Sequence, residues 1–132
     1  MRSTNVLCGL GALMVCAGAA FGGATGTMYA VDSNRSFYKV DLTTGAKTLL
    51  YSVSSNVGTP GGLAYNPASG TVYLSSTSLD SLFTLDLNTG TATLVGAYGD
   101  STVVMHGLEW DSSTSTMYAA SGGGGNFNAY TV

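Results

Sequence analysis

A tyrosine-containing motif recurs three times along this chain of 132 residues. Tyr29, Tyr73 and Tyr118 lie 44 and 45 residues apart, and each tyrosine ends the sequence Gly/Ser-Thr-Met/Val-Tyr. A recurrence of about 45 residues is typical of arrays in which each repeat buries its apolar surface against its neighbours. Two other segments recur with the same period, Phe37–Gly45 as Leu82–Gly90 and Gly62–Asn66 as Gly107–Asp111.

One full period predicts four short β-strands. In the third, Phe83, Leu85 and Leu87 alternate with Thr84 and Asp86, and alternation with period two is the signature of a strand with one apolar face. The second is apolar on both faces, as expected for a strand buried between stacked sheets. The predicted strands are Gly62–Tyr65, Thr71–Ser76, Leu82–Leu87 and Thr91–Tyr98, with a turn over Pro67–Gly70.

The link between the third and fourth strands reads Asp-Leu-x-Thr-Gly in two copies, beginning at Asp41 and at Asp86. An aspartate carboxylate accepts hydrogen bonds from backbone N–H groups two residues on, and glycine supplies a positive φ. Because both aspartates occupy one repeat position, we interpret them as turn-forming residues rather than metal ligands. Weak calcium binding by the loops at 32–34 and 80–81 is an alternative that the sequence leaves open, but neither loop has a known calcium-loop motif, so we predict no metal site there.

These patterns predict an all-β fold, namely a partial β-propeller of about two and a half four-stranded antiparallel blades. A β-solenoid ranks second, because its coils are much shorter, and a sandwich of unrelated strands ranks third, because it does not explain the repeat. The repeat begins at a second strand, unless Phe21–Ala24 forms a first one, and it reaches only the third strand of its last copy. We therefore expect a truncated propeller with two bare faces, self-association through them, and an unprotected edge at Phe127–Val132.

The N-terminal segment has the features of a secretory signal peptide in their usual order. Arg2 is followed by an apolar run that ends in small residues at Ala20. This run is shorter than the roughly 20 residues that span a bilayer, so we expect a signal helix over 1–20, cleavage after Ala19 or Ala20, and no stable span afterwards. A retained N-terminal anchor is the alternative. The repeat domain then occupies 21–132 of a secreted, periplasmic or cell-surface protein.

Both cysteines, Cys8 and Cys16, lie in this N-terminal segment, so residues 21–132 have no thiol, disulfide or cysteine-ligated metal. Lipidation of Cys16 is an open alternative, because a leucine lies three residues upstream as in a lipobox. Residues 21–132 carry three cations and seven anions. No basic cluster is available to neutralise phosphates, so we expect no nucleic-acid binding and no attraction to anionic membrane surfaces.

Three stretches of the repeat, 38–45, 62–73 and 83–96, resemble the repeats of secreted bacterial β-propellers. Their sequences include Tyr-Lys-Val-Asp-Leu-Thr-Thr-Gly and Phe-Thr-Leu-Asp-Leu-Asn-Thr-Gly-Thr-Ala-Thr-Leu-Val-Gly. The resemblance is to the YVTN-repeat and quinoprotein-dehydrogenase-like propellers and to a bacterial family of unknown function with similar repeats. It implies a fold and no particular activity, because propellers host unrelated functions.

His106 and Glu109 are the candidate ligand-binding residues. His106 lies just before the predicted first strand of the third copy, and Glu109 lies on that strand, which would line a propeller's central channel. They replace Gly61 and Ala64 of the previous copy. A spacing of three puts them on opposite faces of a regular strand, which weakens an acid–base pair. The sequence predicts no catalytic residue, metal site or cofactor.

Two other features have structural interpretations. Tyr65 and Trp110 occupy one repeat position, and we interpret them as core residues between blades rather than platforms for sugars. The four glycines of Gly122–Gly125 are interpreted as a flexible turn, because a phosphate-binding loop would need a strand-to-helix context and a lysine.

The leading functional interpretation is an exported, non-catalytic binding or scaffold module that contacts a protein or a glycan through loops or exposed edges. One alternative is the fragment of a propeller enzyme of the lactonase or quinoprotein type. That reading requires catalytic groups on the channel-entry loops, where only His106 and Glu109 are candidates. A truncated product without independent function is the other alternative.

Overall fold

A computed structural model describes residues 27–99, 104–122 and 128–132, which form three antiparallel sheets. The regular structure in these ranges is strand, apart from one 3₁₀ turn at Ser55–Val57, so the predicted all-β class is confirmed. The predicted signal helix at 1–20 lies outside the described residues. The strands are β1 Met28–Val31, β2 Ser36–Val40, β3 Lys47–Ser52, β4 Pro60–Asn66, β5 Thr71–Ser76, β6 Ser81–Leu85, β7 Ala92–Ala97, β8 Met105–Asp111, β9 Thr116–Ser121 and β10 Ala129–Thr131.

The three sheets follow one another along the chain. Sheet 1 has the order β1-β2-β3, sheet 2 has β4-β5-β6-β7, and sheet 3 has β8-β9-β10. The predicted strand Thr71–Ser76 coincides with β5, whereas the strand predicted to reach Leu87 ends at Leu85. It ends early because Asp86 already accepts the backbone hydrogen bond that closes the following turn, from Gly90 N at 2.9 Å.

The three repeated tyrosines hold the same register in their sheets, on β1, β5 and β9. Each lies opposite a residue of the next strand in its sheet. These partners are 45 residues apart between sheets 1 and 2 and 47 residues apart between sheets 2 and 3, so the pairing is kept although the last spacing is two residues longer than the period. The pairs are Tyr29 with Lys39, Tyr73 with Thr84 and Tyr118 with Thr131.

The two Asp-Leu-x-Thr-Gly turns have the geometry that their sequences predict. The Oδ1 of Asp41 accepts hydrogen bonds from the backbone N of Thr43 at 2.8 Å and of Thr44 at 2.9 Å. In the equivalent turn, the Oδ1 of Asp86 accepts one from Asn88 N at 2.8 Å. The glycines that end these turns have φ values of 73° and 74°, a conformation that side-chain-bearing residues adopt at a cost. The turn-forming role of both aspartates is therefore confirmed.

Sheet 2 lies between sheets 1 and 3, with a hydrophobic cluster on each face. We call the face that carries Leu74 the front of sheet 2 and the face that carries Tyr73 its back, and equivalent positions give the front and back of the other sheets. Burial of each large apolar side chain contributes about 2 kcal/mol to folding. The front cluster contains Phe37, Val53, Val57, Val72, Leu74, Phe83, Leu85 and Ala92, and the back cluster contains Ala64, Leu82, Met105, Leu108, Met117 and Ala119.

Both junctions between sheets use the same pair of faces. Leu74 packs from the front of sheet 2 toward sheet 1, and Ala119, one period later, packs from the front of sheet 3 toward sheet 2. Correspondingly, Phe37 on the back of sheet 1 and Leu82 on the back of sheet 2 occupy equivalent positions. The stacking is therefore head to tail, with the front of each sheet on the back of the preceding one.

Strands β4 and β8 approach each other backbone to backbone. A Cβ atom on Gly62 would lie 2.6 Å from the backbone N of Leu108 and 2.8 Å from the carbonyl O of His106, closer than such atoms can sit. Gly107 is the equivalent residue one period later, and the nearest atom to a Cβ there is the Cβ of Ala120 at 3.6 Å, an ordinary contact. The contact with sheet 3 thus requires glycine at 62, whereas nothing described around 107 imposes the same requirement.

This difference predicts opposite results for two identical substitutions. Gly62→Ala should lower the free energy of unfolding by about 1–3 kcal/mol, because the added methyl group overpacks the junction between sheets 2 and 3. Gly107→Ala should change it by no more than about 0.5 kcal/mol, as is usual for substitutions without such a clash. Urea unfolding of both variants measures the difference, and equal destabilisation would contradict the stacking described above.

The turn aspartates predict a loss of stability in acid. Hydrogen bonds from backbone N–H groups, foremost that of Thr44 to Asp41 and that of Asn88 to Asp86, hold the pKa of both carboxyls below the ordinary 3.8. A pKa lowered by folding gives a stabilisation that is complete above pH 3.8 and is lost as the pH falls through the folded-state pKa. The melting temperature, followed by circular dichroism, should therefore begin to fall below about pH 4.

The control is the double variant Asp41→Asn, Asp86→Asn. Each amide oxygen keeps an acceptor for the turn but does not titrate, so the variant should stay folded at pH 7 and lose less stability in acid than the wild type. An identical acid dependence in the two proteins would show that these turns do not contribute to it.

Candidate functional site

His106 and Glu109 both lie exposed on β8. A register shift between Met105 and Gly107 interrupts the pairing of β8 with β9 at His106. Met105 and Leu108, also three residues apart, are both buried in the back cluster, which a regular strand does not allow. The sequence argument that puts His106 and Glu109 on opposite faces therefore does not apply across this bulge.

The surroundings of the two residues are different. The His106 ring lies over Gly122, since a Cβ on that glycine would be 2.8 Å from the ring Cδ2. Glu109 pairs with Tyr118 across the sheet. Within the described ranges, no group of three His, Cys, Asp or Glu side chains is arranged to hold a metal ion. Ligand binding by His106 and Glu109 stays a prediction.

The loop at 32–34 uses the carboxylate of Asp32 for its own closure. Oδ1 accepts hydrogen bonds from the backbone N of Asn34 at 2.9 Å and of Ser36 at 2.8 Å, and Oδ2 accepts one from the Tyr38 hydroxyl at 3.1 Å. The hydrogen bond from Ser36 is the main cause that lowers the pKa of Asp32. These contacts give the carboxylate a structural role within its own loop.

The half-buried phenol of Tyr98 lies beside a cavity of about 320 Å³ between sheets 2 and 3. Burial, together with the negative charge of Asp80, raises the pKa of Tyr98 to about 12. Tyr73, Leu82, Trp110 and Met117 also line this cavity. The phenol stays neutral at physiological pH, and its neighbours here are apolar or aromatic.

A larger cleft, of about 480 Å³, lies between the first strands of sheets 1 and 2. Strand β1 pairs with β2 on one side, and no described strand pairs with its other edge. The equivalent strands β5 and β9 are each paired on both sides. We call this space the β1 cleft, and its lining residues are Thr27, Tyr29, Phe37, Leu63, Ala64, Tyr65, Gly70, Val72 and Leu87.

Stacked aromatic rings support the sheet 1 wall of the β1 cleft. The Tyr29 and Phe37 ring centroids are 5.4 Å apart, and those of Phe37 and Tyr51 are 5.0 Å apart with an interplanar angle of 5°. The Tyr51 hydroxyl donates a hydrogen bond to the carbonyl O of Leu87 at 2.8 Å, which ties the stack to sheet 2. Offset aromatic pairs of this kind add about 0.5–1.5 kcal/mol each beyond their burial, so this wall is well supported.

The interpretation of Tyr65 as a core residue is wrong. Its side chain is 55% exposed at the β1 cleft, whereas the equivalent Trp110 is partly buried against the back cluster. Trp110 faces sheet 2, in which β4 lies beside β5, but Tyr65 faces the side of sheet 1 on which β1 has no described neighbour. The two residues share one repeat position, so the sequence carried no signal for this difference.

Comparisons with known proteins give no relative of this chain from which its function could be inferred. No model of a known protein family matches the chain, and no curated protein is similar to it in sequence. In the part of the chain that the structure describes, no helix is long and apolar enough to cross a membrane. The described part of the chain offers two features of a binding site, namely the edge of β1 with which no described strand pairs and the apolar cleft beside it.

Proposed function

We propose that this chain is an exported, non-catalytic binding module of the β-propeller type, with an extended polypeptide as its ligand. The observation that carries the proposal is the β1 cleft, where an open strand edge borders an apolar space of about 480 Å³. Backbone N–H and C=O groups along an open edge hydrogen-bond to an added strand, and adjacent pockets take alternate side chains.

The head-to-tail stacking supports the propeller-type architecture. Propeller blades are small antiparallel sheets of four strands, packed face to face around an axis. Here β4 and β8, the first strands of sheets 2 and 3, come close enough to exclude a Cβ at Gly62, as expected for the end of each sheet nearest an axis. A partial propeller of about two and a half blades, related to the YVTN-repeat and quinoprotein-dehydrogenase-like propellers, is consistent with this arrangement.

The chemistry of the cleft favours a polypeptide over a glycan. Most of its lining is apolar, with Phe37, Leu63 and Val72 on its walls. A sugar ring needs convergent polar side chains for its hydroxyl groups as well as an aromatic platform. A peptide strand would obtain its hydrogen bonds from the backbone of β1 and would require from the cleft only apolar contact.

The scaffold part of the proposal rests on the two terminal faces. The front of sheet 1 exposes Met28, which is 50% accessible, although the equivalent Val72 of sheet 2 is buried. The back of sheet 3 exposes Tyr118 and Ala120. Because a front face fits a back face at both internal junctions, we propose that these terminal faces mediate self-association or contact with a partner.

Export predicts a defined change in the mature protein. Expression of the full chain in a bacterial host should give a product outside the cytoplasm that lacks residues up to Ala19 or Ala20, as N-terminal sequencing would show. The matched control is Leu10→Arg with Leu13→Arg, which interrupts the apolar run and should leave the uncleaved chain in the cytoplasm. Uncleaved wild-type protein with the same distribution as the control would contradict export.

Binding at the β1 cleft predicts a selective effect of Tyr65→Ala. Peptides selected by the full chain from a phage-displayed random nine-residue library should bind Tyr65→Ala at least about tenfold more weakly, since a loss of about 1.4 kcal/mol corresponds to that factor. The control is Leu94→Ala, because Leu94 is 57% exposed on β7, outside the cleft lining, and Tyr65 is 55% exposed.

The same assay with cellohexaose and chitohexaose addresses a glycan ligand. Binding of peptides that is weakened by Tyr65→Ala and not by Leu94→Ala supports the proposal. Binding of the oligosaccharides alone, failure to select any peptide, or equal loss in the two variants would overturn it.

A further inference from the structure

The chain itself contains two examples of the strand that fits beside an equivalent of β1. Strand β4 pairs with β5 and carries Gly62-Leu63-Ala64-Tyr65, and β8 pairs with β9 and carries Gly-Leu-Glu-Trp at 107–110. In both, the third residue lies opposite the repeated tyrosine, as Ala64 does opposite Tyr73. The register of these pairs defines which side chain of an added strand would lie opposite each residue of β1.

The position opposite Tyr29 is equivalent to one that carries a small side chain in sheet 2. In sheet 2 that position is held by Ala64, which is 6% exposed and packed against sheet 3. Beside β1 the corresponding side chain would point into the cleft between Tyr29 and Tyr65, both of which line it. By the repeat equivalence, the residue of an added strand that corresponds to Ala64 is an alanine at this place.

The position two residues earlier requires glycine. At Gly62 the backbone of β8 lies so close that a Cβ would be 2.6 Å from the N of Leu108. Because the sheets stack with the same faces at each junction, β4 would approach a strand added to sheet 1 as β8 approaches β4. The second and fourth residues of the added strand, equivalent to Leu63 and Tyr65, would point to the front of sheet 1. In sheet 2, Tyr65 lies opposite Val72, and Val72 is equivalent to Met28 of sheet 1.

We infer that the edge of β1 with which no described strand pairs binds an extended segment of sequence Gly-Leu-Ala-aromatic, antiparallel to β1, with the alanine opposite Tyr29 and the aromatic residue opposite Met28. This inference rests on the proposed binding function and specifies its ligand. The aromatic side chain covers Met28, which is 50% exposed, and the backbone of the segment completes the hydrogen bonding of β1.

The segment comes from another polypeptide rather than from a folded second copy of this chain. Both strands of this pattern in the described ranges are already paired, β4 with β5 and β8 with β9. A second copy would have to break one of these pairings to donate a strand. A separate polypeptide with an unstructured segment of this sequence provides it without such a loss.

The test uses a fluorescein-labelled peptide with the sequence of Pro60–Asn66, titrated with the full chain and followed by fluorescence anisotropy. The control peptide differs only by Gly62→Leu and should bind at least about tenfold more weakly, because the added side chain meets the backbone of β4. Hydrogen exchange should show that the first peptide protects the amides of Met28–Val31, whereas those of β7 exchange at an unchanged rate.

Equal binding of the two peptides, or binding without protection of Met28–Val31, would overturn the inference. So would absence of binding to the full chain, which is also the result expected if residues before Thr27 or a second copy already occupy this edge. If library peptides bind through Tyr65 while the Pro60–Asn66 peptide does not, the strand inference fails and the proposed binding function stands. If neither binds, both fail.

Discussion

Burial of both faces of a small twisted sheet is the constraint on which this structure depends. A strand such as β5, with Leu74 on the front and Tyr73 on the back, cannot be covered by its own sheet and needs a neighbour on each side. The chain meets this need by setting the front of one sheet on the back of the one before. The glycine at 62 and the small residue at 64 follow from the closeness of that contact.

Local features of the fold were predictable from the sequence, and features set by packing were not. The Asp-Leu-x-Thr-Gly turns at Asp41 and Asp86 depend on atoms within five residues, so composition and spacing were sufficient to predict them. Alternation likewise predicted most of β6, and an apolar pattern on both faces predicted β5. The bulge at His106 was missed because it arises from the pairing of β8 with β9, and a single strand carries no period-two signal for it.

The candidate site shows the same division. Tyr65 and Trp110 have the same place in the repeat, so a sequence argument assigns them the same environment. Their burial differs because their neighbours differ. Trp110 faces sheet 2, in which β4 and β5 are paired, whereas Tyr65 faces the edge of β1 with which no described strand pairs. The β1 cleft thus depends on the pairing of the described strands, and it could be located only once the order of these strands was known.

Because every junction joins a front to a back, a gene of this kind can gain or lose one repeat without altering the remaining junctions. Unequal recombination that inserts or deletes one whole period leaves each remaining junction between the same two faces, so no compensating substitution is needed inside the stack. Only the outermost units acquire a new environment. The described sheets show such a difference in environment at one repeat position, where Ala64 of sheet 2 is buried against sheet 3 and Glu109 of sheet 3 is exposed.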